Sequence, residues 1–293
     1  MITSFENKKT IGVIGAGSFG TTIANLLSIN RRVILYTRQP ALVEKINKEH
    51  RHFDLDLSKN IVATNDIEQV AKECHLIFLI VPSLNFRSMM KDLSPFLHPY
   101  HLLIHGTKGF DVTDISESEL ATKSFNRSNI HTMSEVIAQE SSVVRIGCLS
   151  GPNLAKEIMA GQPAATVIAS KFTEVIKKGR NALDSSRFHV FGTHDLLGAE
   201  LAGALKNAIA IGSGILGGLG MGKNIQALLL TRGLMEMIYF GKSMGAKSTA
   251  FVGTAGIGDL IATATSRDSR NYSFGMRMAK GGSLETIQQT MPE

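Results

Sequence analysis

The stretch TIGVIGAGSFGTTIANLLSI, residues 10–29, constrains the fold of this 293-residue chain more than any other part of it. A short apolar run gives way to glycines and then to a helical pattern with Ile23, Leu26 and Leu27 on one face. Gly15, Gly17 and Gly20 complete the spacing G-x-G-x-x-G between strand and helix. The first glycine permits a tight turn, the second lets main chain approach a pyrophosphate, and the third lets helix and strand pack closely. The helix N-terminus then faces the phosphate charge.

The same rhythm continues. RVILYT, IVAT, HLIFLIV and HLLIHG are further apolar strands, with helical segments between most of them. Near-continuous apolar strands alternating with helices predict an α/β fold, a Rossmann-type, mostly parallel sheet covered on both faces. After a polar, irregular stretch over residues 111–141, three more strands, SVVRIGCLSG, PAATVIAS and RFHVFGT, extend the same sheet, separated by the helices NLAKEIMAG and EVIKKGRNAL. Beyond Asp195 only helical patterns and Gly-rich turns remain. The expected organisation is a dinucleotide-binding domain over 1–194 and an all-helical substrate domain over 195–293. Within the latter, a helix is expected from about Leu196 to Ile215, ended by the glycines of GSGILGG.

Composition narrows the partners. A formal charge of +6 suits anionic ligands, but Trp is absent, Tyr numbers only 4 and the basic residues are scattered, which argues against nucleic acid. Cys74 and Cys148 form no C-x-x-C motif and read as two reduced, buried thiols. The N-terminal residues lack a signal-peptide pattern, so a cytoplasmic location is expected. Residues 196–221 are interrupted only by Glu200 and Lys206. Each charge near a bilayer centre costs about 2.5–3.5 kcal/mol, so no membrane span is expected. His98, His101 and His105 lack a supporting carboxylate and read as solvated loop and strand histidines; no metal site is expected. Met235 and Met237 read as core filler.

Two positions carry more information. Where NAD-selective sites place an acid at the end of the second strand, this chain has Thr37 and Arg38. An arginine there accommodates a 2′-phosphate, so NADP(H) is expected to be accepted, with NAD(H) left open. Lys206, followed by Asn207, interrupts the small and apolar helix LAGALKNAIAIGSGILGG. A lysine is costly to bury unless it is paired or used.

Several blocks together, IGVIGAGSFGTTIA, VPSLNFR, TKGF, SGPNLAKEI, ELAGALKNAIAI and GTAGIGDLIATATSRDSRN, occur in one order over nearly the whole chain. In this the sequence resembles the bacterial NAD(P)-dependent glycerol-3-phosphate dehydrogenases. The resemblance implies reversible hydride transfer between a nicotinamide cofactor and dihydroxyacetone phosphate, giving sn-glycerol 3-phosphate for phospholipid synthesis. It makes Lys206 the proton donor and acceptor and Asp259 the acidic residue that pairs with or orients it. Physical chemistry agrees: hydride arriving at a ketone carbon builds negative charge on the oxygen, which an ammonium stabilises and protonates. Burial lowers a lysine's pKa and a neighbouring carboxylate opposes that shift.

By the same resemblance Lys108, Gly151, Asn153, Asn207, Ser269, Arg270 and Asn271 contact the substrate. Gly15, Gly17, Ser18, Phe19, Gly20, Arg38, Lys108, Ala155 and Arg270 contact the cofactor. Arg270, a guanidinium fork at a helix start, suits a dianionic phosphate. Ser269 and Asn153 also read as helix caps. Family members continue some tens of residues past the point matching Glu293, where the family's acidic cofactor contact would fall, so closing helices are expected to be missing. The resemblance leaves a homodimer open. Two alternatives stay open as well: a hydroxy-acid or ketopantoate type of Rossmann reductase, and a non-catalytic NADP(H)-binding sensor.

Overall fold

The structure, a computed structural model, describes residues 10–113, 119, 122, 124 and 126–291. The apolar runs form β1 (Thr10–Ile14), β2 (Arg32–Tyr36), a small hairpin of β3 (Arg51–His52) and β4 (Leu55–Asp56), then β5 (Ile61–Thr64), β6 (Leu76–Leu79) and β7 (Leu102–His105). A second hairpin, β8 (Asp111–Val112) with β9 (Ile130–His131), precedes β10 (Arg145–Ser150), β11 (Ala164–Ser170) and β12 (Phe188–Thr193). Between them lie α1 (Ser18–Ser28), α2 (Pro40–Glu49), α3 (Ile67–Glu73), α4 (Ser83–Leu93), α5 (Met133–Glu140), α6 (Ala155–Met159) and α7 (Thr173–Leu183). Helices alone follow: α8 (Leu196–Gly218), α9 (Lys223–Ser243), α10 (Ser248–Phe251), α11 (Asp259–Thr265), α12 (Arg270–Ala279) and α13 (Leu284–Thr290).

Among the described residues the strands order as β12-β11-β10-β7-β6-β1-β2-β5, an eight-stranded sheet. The registers of β1 with β2 and β6, of β7 with β6 and β10, of β2 with β5 and of β11 with β12 are all parallel. Sheet residues such as Val13, Ile34, Ile77 and Leu103 are almost wholly buried, the two-sided burial that continuous apolar strands require. The α/β, Rossmann-type reading holds, and so does the helical second half.

By contacts the chain divides into two compact units, residues 1–149 with 170–183, and residues 150–169 with 184–293. In the first, strand order reverses between β1 and β6, and ligands of such sheets bind beyond the carboxyl ends at that point. The second is built around α8. Its glycines do not end the helix at Ile215. A Cβ on Gly214 would stand 2.1 Å from the Tyr272 carbonyl oxygen, and one on Gly275 2.0 Å from that of Ile211. α8 and α12 therefore meet backbone to backbone, and this approach offsets the poor helix propensity of glycine. α8 is long and apolar enough to cross a membrane, but it also buries Glu200 and Lys206 and serves as the packing centre of its unit.

Some expectations need correction. The described residues of the 111–141 stretch are less irregular than their polarity suggests. β8 pairs with β9, and α5 begins with a reciprocal Thr132–Glu135 capping box. The Arg87 guanidinium on α4 anchors the segment, donating to Asp111 at 2.7 and 2.9 Å, to Gln139 at 2.7 Å and to Glu140. His101 and His105 are not solvated. Both are buried, His101 because its Nδ1 and Nε2 satisfy main-chain groups of His98 and Ala71, His105 edge-on to Phe86 at 5.9 Å. Met237 is core, whereas Met235 is exposed on α9. Cys74 and Cys148 are both buried.

Candidate active site

In the first unit the glycine loop follows β1. Gly15 has φ +111, and a side chain there would strike the Ile80 carbonyl at the end of β6. A Cβ on Gly20 would lie 1.9 Å from the Gly15 carbonyl oxygen, so α1 closes onto the turn only with glycine at that position. Nothing lies within 4 Å of a Cβ built on Gly17. Gly17 is the N-cap of α1 and has no side-chain capping bond, so the first amides, those of Ser18 and Phe19 among them, are not spent on a cap. An open face, uncapped amides and a helix dipole fit a pyrophosphate.

Neighbouring loops complete this half. The Gly15 amide donates to the Tyr36 carbonyl at 3.1 Å, tying the loop to the end of β2, after which Arg38 stands exposed. Burial first, then the Asp92 carboxylate, holds the Tyr36 phenol above its ordinary value. Beyond β7, the Phe19 ring lies 3.2 Å from where a Gly106 Cβ would stand. The Thr107 hydroxyl donates to the Val81 carbonyl at 2.7 Å, and half-buried Lys108 follows. The loops after β1, β6 and β7 thus converge, and the last of them carries Lys108.

In the second unit Lys206 lies on α8 and is 4 % exposed; Asp259, at the start of α11, is 1 % exposed. The Lys206 Nζ donates to Asp259 Oδ1 at 2.5 Å and also to the Thr263 hydroxyl, which in turn donates to Asp259 Oδ1 at 3.3 Å. Lys206 is thus a buried, anchored cation and does not snorkel to solvent. Thr263 escaped the sequence reading, although its signal is visible: it follows Asp259 by four residues and so shares that face of α11. What aims Asp259 is a π-helical turn over Thr254–Gly258. Such turns are found at functional sites, and this one needs a glycine, since a Cβ on Gly256 would be 2.2 Å from the Phe251 carbonyl oxygen.

Apart from Lys108, the residues expected to contact the substrate belong to the same unit. Asn271 donates to Asn207 at 2.8 Å, linking the start of α12 to the lysine helix. Ser269 is a helix cap, its hydroxyl accepting from the Tyr272 amide, and exposed Arg270 opens α12. Lys156 reaches Asp268 at 3.4 Å, bringing the 151–156 and 268–271 segments together. Asn153 does not cap α6, whose N-cap is Leu154. Its Nδ2 donates to Thr166 at 3.0 Å, and its Oδ1 is buried with no hydrogen-bond partner among the described residues, an acceptor suited to a ligand. Gly151 has φ +133 over Thr166, and Ala155 opens α6. Glu293 lies outside the described residues.

Comparison with known proteins shows the family. The model of the NAD-dependent glycerol-3-phosphate dehydrogenase N-terminus matches residues 10–176, and that of the C-terminus residues 195–293. The chain is 38 % identical over 291 residues to glycerol-3-phosphate dehydrogenase [NAD(P)+] of Saccharophagus degradans, covering 98 % of this chain and 77 % of that protein. With the same enzyme of Acinetobacter baumannii it shares 40 % identity over 293 residues, covering 97 % and 78 %. The crystal structure of glycerol-3-phosphate dehydrogenase from Coxiella burnetii superimposes with a TM-score of 0.85 at 30 % identity, covering 96 % of this chain and 83 % of that one. A ketopantoate reductase from Ralstonia eutropha, 15 % identical with a TM-score of 0.56, shares the fold alone. A dinucleotide loop and a buried lysine–aspartate pair, carried by matches to both halves of one family, lead to one conclusion: this chain belongs to the NAD-dependent glycerol-3-phosphate dehydrogenase family.

Proposed function

We infer that this chain reduces dihydroxyacetone phosphate to sn-glycerol 3-phosphate with NADPH or NADH, reversibly, and so supplies glycerophospholipid synthesis. The observation that carries the reading is the buried Lys206, held by Asp259 and Thr263 inside a helix otherwise built of small and apolar residues. The nicotinamide cofactor, when bound, supplies the hydride. Gly15, Gly17, Ser18, Phe19 and Gly20 hold its pyrophosphate, and Arg38 meets the adenosine ribose and accommodates a 2′-phosphate; Lys108, Ala155 and Arg270 are further contacts.

The remaining work falls to the substrate's surroundings. Arg270 and the first amides of α12 bind the phosphate dianion as a fork plus a helix dipole. Asn207, Asn271, Ser269 and Gly151 position the rest, with the unpartnered Asn153 Oδ1 as an acceptor for a substrate hydroxyl. As the carbonyl carbon is reduced, charge builds on its oxygen. The Lys206 Nζ stabilises that charge and transfers a proton, so the ketone becomes a secondary alcohol. In the reverse direction the neutral amine takes the alcohol proton. Asp259 fixes the ammonium and compensates its charge. An ammonium has three N–H donors, enough to serve two anchors and a reacting oxygen together.

The same reading places the enzyme in the cytoplasm, where its two thiols stay reduced, with small molecules as its partners and room for a homodimer. The test is the decay of NADPH absorbance on adding dihydroxyacetone phosphate, with NADH and unphosphorylated dihydroxyacetone in parallel. Turnover that requires the phosphate is expected. Tight NADPH binding without turnover would replace the reductase reading by that of a cofactor sensor.

A further inference from the structure

The hairpin of β3 and β4 stands apart from the eight-stranded sheet. It turns over Phe53 and Asp54, whose φ values of 50° and 57° are both left-handed, as a two-residue hairpin of the I′ kind demands. Aspartate tolerates that region, but a phenylalanine adopts it only under strain. The strained turn accompanies a specific long-range contact. Half-buried His52 places Nε2 at 2.9 Å from the carbonyl oxygen of Ala16, between the first two glycines of the loop after β1. The Phe53 ring lies against the imidazole, with centroids 4.1 Å apart. A carbonyl only accepts, so Nε2 carries the hydrogen and donates it.

The Ala16 carbonyl and the Gly17 amide belong to one planar trans peptide, so drawing the carbonyl toward His52 aims the Gly17 N–H the opposite way. The Thr21 hydroxyl adds a weaker bond to the same carbonyl at 3.4 Å. Among the described residues, the Gly17 N–H donates to no main-chain carbonyl. The space where a Gly17 Cβ would stand is open.

We propose that His52 is a positioning residue for the dinucleotide: by holding the Ala16 carbonyl it fixes the peptide whose N–H, at Gly17, meets the pyrophosphate. This rests on the reading of the glycine loop as the cofactor site. Its effect belongs in cofactor affinity and not in the chemical step. Leucine at this position removes the donor, whereas glutamine restores an N–H at similar reach.

The experiment measures NADPH affinity by its own fluorescence in the full-length wild type, His52→Leu and His52→Gln, at a temperature where all three share the native circular dichroism. ADP-ribose and adenosine 2′-phosphate serve as competitors. His52→Leu is expected to weaken NADPH and ADP-ribose about fivefold, the worth of one net hydrogen bond. Adenosine 2′-phosphate affinity, kcat and the KM for dihydroxyacetone phosphate should stay within about twofold, and His52→Gln should stay near wild type. Unchanged NADPH affinity in His52→Leu, a loss in His52→Gln equal to that in His52→Leu, or an equal loss for adenosine 2′-phosphate would each overturn the proposal. A wild type that binds no NADPH would instead overturn the glycine-loop reading beneath it.

Discussion

Lys206 and Asp259 make one buried unit, to which the proposed function gives two obligations, to stay folded and to move a proton, and substitution separates them. Removing one partner of a buried pair leaves a charge with nothing to balance it, which costs about 3–5 kcal/mol, whereas replacing both by apolar groups is often neutral. Asp259→Ala and Lys206→Met should therefore each destabilise the chain in urea, and Lys206→Met with Asp259→Leu should be more stable than Asp259→Ala alone. All three should lose about 10²–10⁴ in kcat, with NADPH affinity kept. A double variant as unstable as the worse single would show that the pair's energy lies in packing. Lys206 was conspicuous in the sequence because an ammonium among alanines and glycines demands a reason. Its link to Asp259 across 53 residues came only through family likeness, and Thr263 was hidden because a threonine on a helix has many ordinary uses.

At the scale of elements, the strands of the large sheet were legible because burial on both faces writes itself as runs of Val, Ile and Leu. The two hairpins were not: two-residue strands such as Arg51–His52 carry no periodicity, and the left-handed turn at Phe53 uses a residue that seldom signals one. The end of α8 was misplaced because glycine's poor propensity is local, while the partner that rewards it, the backbone of α12, is remote in sequence. The π-turn before α11 was equally invisible, yet it is where element and site meet. Gly256→Ala would drive a Cβ into the Phe251 carbonyl, and overpacking of this kind costs about 1–3 kcal/mol. Because relief must come by moving the turn that carries Asp259, the variant should also lower kcat at a temperature where it is fully folded, with its NADPH affinity unchanged. A destabilised variant of normal kcat would show that the turn does not set the carboxylate's position.

On the proposed reading the cofactor's pyrophosphate and 2′-phosphate fall to the glycine loop and Arg38 in one compact unit, and the substrate's phosphate to Arg270 with α12 in the other. That assignment predicts how binding feeds back on stability. A ligand that binds only the folded chain stabilises it by about 2.7 kcal/mol at a hundred times its Kd, so each ligand should raise Tm by an amount set by its own residues. Arg270→Lys replaces a bidentate fork by a point charge. The shift induced by glycerol 3-phosphate should fall sharply, together with a raised KM for dihydroxyacetone phosphate, while most of the NADPH shift survives. Arg38→Ala should do the reverse: the NADPH shift falls toward that of NADH, because only NADPH carries the 2′-phosphate, and the glycerol 3-phosphate shift stays as in wild type. Thermal melts of the wild type and the two variants with each ligand settle both. If Arg38→Ala leaves the gap between NADPH and NADH intact, the 2′-phosphate is read by other residues, and selectivity then has to be sought outside the end of β2.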